Sequence, residues 1–280
     1  MINYYLITKP GIILGNLVTV AAGFLLASKG KFYPGLFVAT LLGIAFIIAS
    51  ACVFNNYIDR KLDKKMKRTR NRPLAAGLIS GERALFFGTF LGLIGVSILF
   101  YFTNVLTTTV AITGFLVYVL AYSLWKGHTI YGTAIGSIAG AVPPVVGYCA
   151  ISNHFDTGAL ILFLMMVMWQ MPHFFSIALY RLDDYTAAGI PVLPVIKGAR
   201  RTKMHMTLYI MGFIVVCSML TFFQYTGVFF LLASTLLGFG WLGLCLKGFN
   251  ANNDQVWGFS MFRYSLILIA AVSFIIPFDV

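Results

Sequence analysis

The chain has 280 residues, 60% of them hydrophobic and only 10% charged, whereas soluble globular domains carry charge on about a quarter of their residues. That balance excludes an ordinary soluble domain and marks a polytopic membrane protein whose solvent is the lipid bilayer. The net charge of +12, from 20 Lys and Arg against 8 Asp and Glu, sits on short connections between apolar runs, which argues against a nucleic-acid partner.

Apolar runs long enough to cross a hydrocarbon core of about 30 Å fall near residues 10–27, 35–57, 84–102, 105–123, 129–150, 159–179, 205–223, 228–246 and 262–279. Backbone amides in lipid must be bonded internally, and near-continuous hydrophobicity lacks the alternation of a membrane strand. The expected fold class is therefore all-α, a membrane helix bundle of about nine spans, with residues 1–280 as a single domain. Met1 to Pro10 lacks the basic start and small-residue cleavage site of a secretory signal.

Of the Lys and Arg residues, nine lie between Arg60 and Arg83 and five between Arg181 and Lys203; Lys9, Lys126, Lys247 and Arg263 fall on the same side, leaving Lys29 and Lys31 opposite. The positive-inside tendency then places the N-terminus in the cytoplasm and the C-terminus outside. Cys52, Cys149, Cys217 and Cys245 stand alone within apolar runs and read as small buried hydrophobes rather than a disulfide framework.

Span two ends in Asn55, Asp59 and Asp63, followed by Lys67, Arg68, Arg70 and Arg72. Steps of four residues turn a helix by only about 40°, so the three oxygen-bearing side chains share one face over roughly 12 Å. Such a face suits Mg²⁺, which takes hard oxygen ligands and shares them with substrate phosphates, while the cations neutralise the remaining phosphate charge. Local salt bridges on a solvated helix end are the plainer alternative. Span four closes with Tyr122 and Lys126, and span five is interrupted by Gly140-Ala-Val-Pro-Pro-Val-Val-Gly147, where the proline pair is expected to distort the helix. After span six, an unbroken helix puts Gln170, His173, Ile177, Tyr180 and Asp184 on one stripe, with Arg181 beside it and Asp183 turned about 100° away. A histidine at that depth is costly unless it faces the bundle interior, so a substrate role is the default, against simple packing.

With Asn55-x3-Asp59-x3-Asp63, the Arg72-Pro73 that follows, Tyr122 with Lys126, and Asp184 after span six, the chain resembles the UbiA superfamily of intramembrane prenyltransferases. Within it, the runs TKPGIILGN, VFNNYIDRKLDKKMKRTRNRPL, GAVPPVVGY, WQMPHFF and DYTAAGIPVLPV are similar to those of the branch that farnesylates haem. The resemblance implies a bundle around a central cavity in a bacterial inner membrane. It also implies farnesyl diphosphate and haem B as substrates, Mg²⁺ as cofactor, haem O as product, and haem-handling or terminal-oxidase assembly proteins as partners. Asn55, Asp59, Asp63 and Asp184 are thereby expected to serve catalysis as metal ligands, and Arg72 and Lys126 to contact phosphate, with Arg68 among the substrate-binding residues. Tyr122, Gln170, His173, Tyr180 and Arg181 complete the expected substrate-binding set. One departure is Ala188, four residues past Asp184, where many members carry a further Asp. Two rival readings are a prenyltransferase for a quinone precursor or other ring acceptor, and a transporter of anionic solutes. Transporter sites tend to lie near the midplane in broken helices, whereas the acids here gather at one end.

Overall fold

A computed structural model describes residues 2–280; Met1, the first residue of the expected 1–280 domain, lies outside the described residues. Among the described residues, nine helices are long and apolar enough to cross a membrane: Pro10–Ser28, Pro34–Asp63, Gly81–Phe102, Val105–Trp125, Gly132–Ser152, Thr157–Tyr180, Leu193–Phe222, Val228–Asn250 and Asp254–Phe278. They are spans one to nine below. Their starts are set by local chemistry: Ser80, Asn104, Asp156 and Asn253 each accept hydrogen bonds from backbone N–H groups of the following first turn. Outward faces carry large apolar side chains such as Phe86, Leu93, Phe222 and Leu236, as a lipid solvent requires.

The tightest crossing joins spans one and five. A Cβ at Gly23 would meet the Pro144 carbonyl oxygen at 2.0 Å, and one at Gly147 would meet that of Val20 at 2.0 Å, so the two backbones approach as only glycine permits. Span five itself is two helices, Gly132–Gly140 and Val142–Ser152, meeting at Ala141, where Pro143 and Pro144 cannot donate to the preceding turn. Pro172, by contrast, is absorbed inside the continuous Thr157–Tyr180 helix.

Three departures from the sequence reading bear on the site. Span six ends at Tyr180: Arg181 leaves the helical region (φ −111°, ψ 30°), and Asp183 and Asp184 ride on a separate helix, Leu182–Ala188, so the expected unbroken stripe from Gln170 to Asp184 is corrected to one ending at Tyr180. Span four changes to a π-helix over Val117–Tyr122 before a last α-turn, Ser123–Trp125. Span nine begins at Asp254, eight residues before its apolar run, because the Lys203 ammonium pairs with Asp254, donates to the Gly248 carbonyl at 2.6 Å and lies 5.1 Å from the Trp257 ring.

Candidate active site

The acidic face forms where span two meets span four and the chain before span one. Asn55, Asp59 and Asp63 are all buried, at 2%, 5% and 1% exposure, and each is held by a different cation. Lys9 Nζ donates to Asn55 Oδ1 at 2.6 Å. Lys126 pairs with Asp59 Oδ2. Arg72 Nη1 donates to both Asp63 oxygens at 3.0 Å. Three oxygen donors and three cations therefore alternate at one end of the bundle, with charges that cancel only in part.

Lys9 was not among the residues singled out from sequence, because its partner lies 46 positions away. Its placement is built locally. Ile7 is buried in a cluster with Val53 and Ala84, and Asn56 Nδ2 bonds the Ile7 carbonyl at 2.8 Å, fixing the entering chain to span two. Lys9 then adopts a left-handed backbone (φ 53°, ψ 65°) just before Pro10 and turns its side chain onto Asn55. Burial lowers the Lys9 ammonium's pKa to about 8.

The π-helix positions the opposite wall. Its wider turn leaves the Tyr118 carbonyl accepting from both the Ser123 N–H and, at 2.9 Å, the Ser123 hydroxyl; Ser123 Oγ in turn accepts from Asn55 Nδ2 at 3.0 Å. The Asn55 amide is thereby oriented, Oδ1 toward Lys9 and Nδ2 toward Ser123. Tyr118 and Tyr122 pack ring on ring at 5.3 Å, and the Lys126 ammonium lies 5.0 Å from the Tyr122 centroid. Burial works against the charged form of Lys126, but Tyr122 and the Asp59 carboxylate outweigh it and its pKa is raised.

Asp59 Oδ1 is buried and has no hydrogen-bond partner. A bare buried carboxylate oxygen between an amide oxygen and a second carboxylate is a donor set with an open place, and its hard-oxygen chemistry fits Mg²⁺. Asp184 does not join this set. Its Oδ1 accepts the Lys67 N–H at 3.1 Å, and among the described residues no group of three or more His, Cys, Asp or Glu side chains is placed to hold a metal. Asp183 accepts from Gln255 Nε2 at 3.0 Å instead. Met66, Ala188 and Ile190 are buried together beside the Lys67–Asp184 contact, which ties the 64–80 connection to the Leu182–Ala188 helix.

The remaining expected residues divide. Arg68 is exposed on the 64–80 connection and Arg72 is in the site. Gln170 donates to the Ser137 carbonyl at 3.3 Å and fills the space beside Gly140, where a Cβ would meet its Oε1 at 2.0 Å, so it packs the broken span five rather than reaching the acidic face. Tyr180 packs against Phe259 at 4.8 Å with the Arg181 guanidinium 4.2 Å from its ring, and His173 lies between Trp169 and Phe262 at 4.7 and 5.2 Å. The site thus has two regions, an ionic one on spans two and four and an aromatic one on spans six and nine.

Residues 16–267 match the model of the UbiA prenyltransferase family. The chain belongs to that family. Along all of this chain and 99% of its own length, the protoheme IX farnesyltransferase of Protochlamydia amoebophila is 60% identical; that of Edwardsiella ictaluri is 49% identical over 99% of this chain and 94% of its own. The fold is shared with a solved digeranylgeranylglyceryl phosphate synthase (TM-score 0.81, 16% identity, covering 99% of this chain and 96% of the other). It is shared also with a UbiA homologue from Archaeoglobus fulgidus bound to GPP and Mg²⁺ (TM-score 0.72, 14% identity, covering 98% and 99%). The chain is accordingly a multi-pass membrane protein of this family.

The role of Asp184 is separable by substitution. Asn keeps an oxygen for the Lys67 N–H, so Asp184→Asn is expected to stay within about twofold of wild-type turnover, while Asp184→Ala loses one hydrogen bond and falls about fivefold, the factor for about 1 kcal/mol. Steady-state prenyl transfer by the two variants checks this; equal damage would show that the carboxylate charge, and hence the metal, is what Asp184 serves.

Proposed function

We propose that this chain transfers the farnesyl group of farnesyl diphosphate to a vinyl group of haem B, releasing diphosphate and forming haem O. The observation that carries the reading is 60% identity along its full length to a protoheme IX farnesyltransferase, in a chain whose own site pairs a diphosphate-type ionic region with an aromatic one.

Asn55, Asp59 and Asp63 would hold Mg²⁺, which supplies neutralisation of the charge that grows on the diphosphate as its bond to farnesyl breaks. Lys9, Lys126 and Arg72 each lie against one of those oxygen donors and exchange that partner for a diphosphate oxygen when the substrate arrives, so no buried cation loses its counter-charge. Arg68 adds a solvent-side cation. The allylic C–O bond ionises with its electron pair leaving on diphosphate, a step stabilised by preorganised charge rather than by a protein nucleophile. The faces of Tyr118 and Tyr122 are beside the departing group and favour the farnesyl cation. The vinyl π-pair attacks that cation, water adds to the resulting carbocation on the haem substituent, and loss of one proton leaves the hydroxyethylfarnesyl side chain. The two rings and the packed spans keep other water from quenching the allylic cation first.

Purified protein given Mg²⁺, farnesyl diphosphate and haem B should yield a haem heavier by one farnesyl and one hydroxyl group, read by mass analysis. Prenylation of a quinone precursor supplied in place of haem, with haem itself unchanged, would assign the chain to the other acceptor class.

We further place the ionic region at the cytoplasmic face of a bacterial inner membrane, from the distribution of Lys and Arg. The native cysteines are all buried, so cysteines introduced at exposed Lys65 and Lys197 are expected to label from the cytoplasm and one at Lys31 only from outside. Labelling of position 197 from outside would overturn the orientation.

A further inference from the structure

Arg263 stands nine residues into the Asp254–Ile275 helix, about 13 Å from its start, at the level where the adjacent Phe262 meets His173. Among the described residues it forms no ion pair; its guanidinium lies 5.9 Å from the Phe259 ring. Arg263 is exposed on an apolar span helix with no carboxylate partner, and an arginine so placed in a membrane helix is a candidate to hold an anion. Arg181, at the end of span six, is in the same condition: no ion pair, and its guanidinium 4.2 Å from the Tyr180 ring.

The two arginines bracket one aromatic surface. Tyr180 and Phe259 meet at 4.8 Å with their planes tilted by 40° across spans six and nine, Phe259 and Phe262 lie nearly parallel at 6.4 Å and 27°, and Phe262 meets His173. Tyr180, Phe262 and Phe259 are all partly or fully exposed rather than packed away. A flat apolar face edged by two guanidiniums lacking carboxylates fits a flat apolar ligand with two carboxylates on one edge.

We propose that Arg181 and Arg263 bind the two propionates of the haem acceptor, whose macrocycle lies along the Tyr180–Phe259–Phe262 surface. The assignment rests on the haem reading above and adds to it the orientation of the acceptor. Propionates held by these cations fix the haem in its plane and so select which vinyl meets the farnesyl carbon. Guanidinium forks suit carboxylates, and each such charge-assisted contact in a partly dry groove changes affinity by about 10- to 100-fold.

The test compares haem B with its dimethyl ester, in which both carboxylates are masked, by absorbance titration of wild-type, Arg263→Leu and Arg181→Leu protein in nanodiscs, with haem O formation and the KM for farnesyl diphosphate followed in parallel. Wild-type protein should bind haem B at least tenfold more tightly than the ester; each variant should lose most of that preference, keep ester affinity, and leave the farnesyl diphosphate KM unchanged. Arg263→Lys should recover part of the preference, which separates lost charge from lost packing. If Arg263→Leu retains the full preference, as it would were its guanidinium only bound to lipid phosphate, the propionate assignment falls while haem O formation still supports the acceptor. Absence of haem O from wild-type protein would instead defeat the underlying reading.

Discussion

Replacing Asp59 or Asp63 by Ala is expected to lower kcat by at least about 10²- to 10³-fold, the scale on which one preorganised group that stabilises developing charge is felt. Each carboxylate does two things at once. In the function proposed above it offers oxygen to Mg²⁺, and in the free protein it balances a partly buried cation, Lys126 beside Asp59 and Arg72 beside Asp63. The side chains of the two acids are only 7% and 2% exposed, so truncation to Ala also leaves a partly buried cation without its partner and costs stability. Asn variants therefore belong in the same experiment: they keep the shape and a hydrogen-bonding oxygen, so their loss of turnover with folded protein isolates the chemistry from stability. The measurement is turnover against Mg²⁺ concentration for Asp59→Asn and Asp63→Asn, with extraction in detergent and thermal unfolding as the check on folding. Both should need far more Mg²⁺ and reach a lower plateau. Normal turnover in either at limiting Mg²⁺ would remove that residue from the metal site.

What could be read in the sequence followed from period and composition. The nine spans were visible because bilayer thickness fixes their length, and the grouping of Asn55, Asp59 and Asp63 because four-residue steps fix a helical face. The failures have equally particular causes. Extending one helical phase from Gln170 to Asp184 ignored a break at Arg181 that has no local breaker residue, so Asp184 landed on the Lys67 amide. Lys9 escaped notice because its contact with Asn55 depends on the Asn56–Ile7 bond and a left-handed turn, neither of which has a period. The π-segment Val117–Tyr122 reads as ordinary apolar helix, and only the Ser123–Tyr118 bonding reveals the widened turn. Span nine began eight residues earlier than its hydrophobic run, since Asp254 is neutralised by Lys203, and that shift puts Arg263 nine residues inside the helix rather than at its start.

His173→Gln is expected to weaken haem B binding at least tenfold, the factor for 1.4 kcal/mol, and to leave farnesyl diphosphate binding unchanged. Ser265 Oγ has a single hydrogen, and when it goes to the Phe262 carbonyl at 2.6 Å the hydroxyl acts as acceptor toward His173 Nδ1, 2.7 Å away. Nδ1 then carries the proton in the neutral imidazole, and Nε2 is left with its lone pair. Trp169 reinforces the arrangement by stacking on the ring at 4.7 Å and donating from Nε1 to the Ser265 carbonyl at 2.9 Å. An imidazole whose far nitrogen is anchored and whose near nitrogen is basic is how a protein presents histidine to iron. Titration of haem B into wild-type protein should thus shift the Soret band toward that of imidazole-bound haem, and the shift should vanish in His173→Gln. Ser265→Ala supplies the internal control, since it frees the tautomer without removing the ring and should weaken binding by less. An unaltered spectrum and haem affinity in His173→Gln would make the residue a packed intramembrane histidine; impaired diphosphate binding with intact haem binding would instead move it to the ionic end of the site, more than a full helical turn from where Tyr180 closes span six.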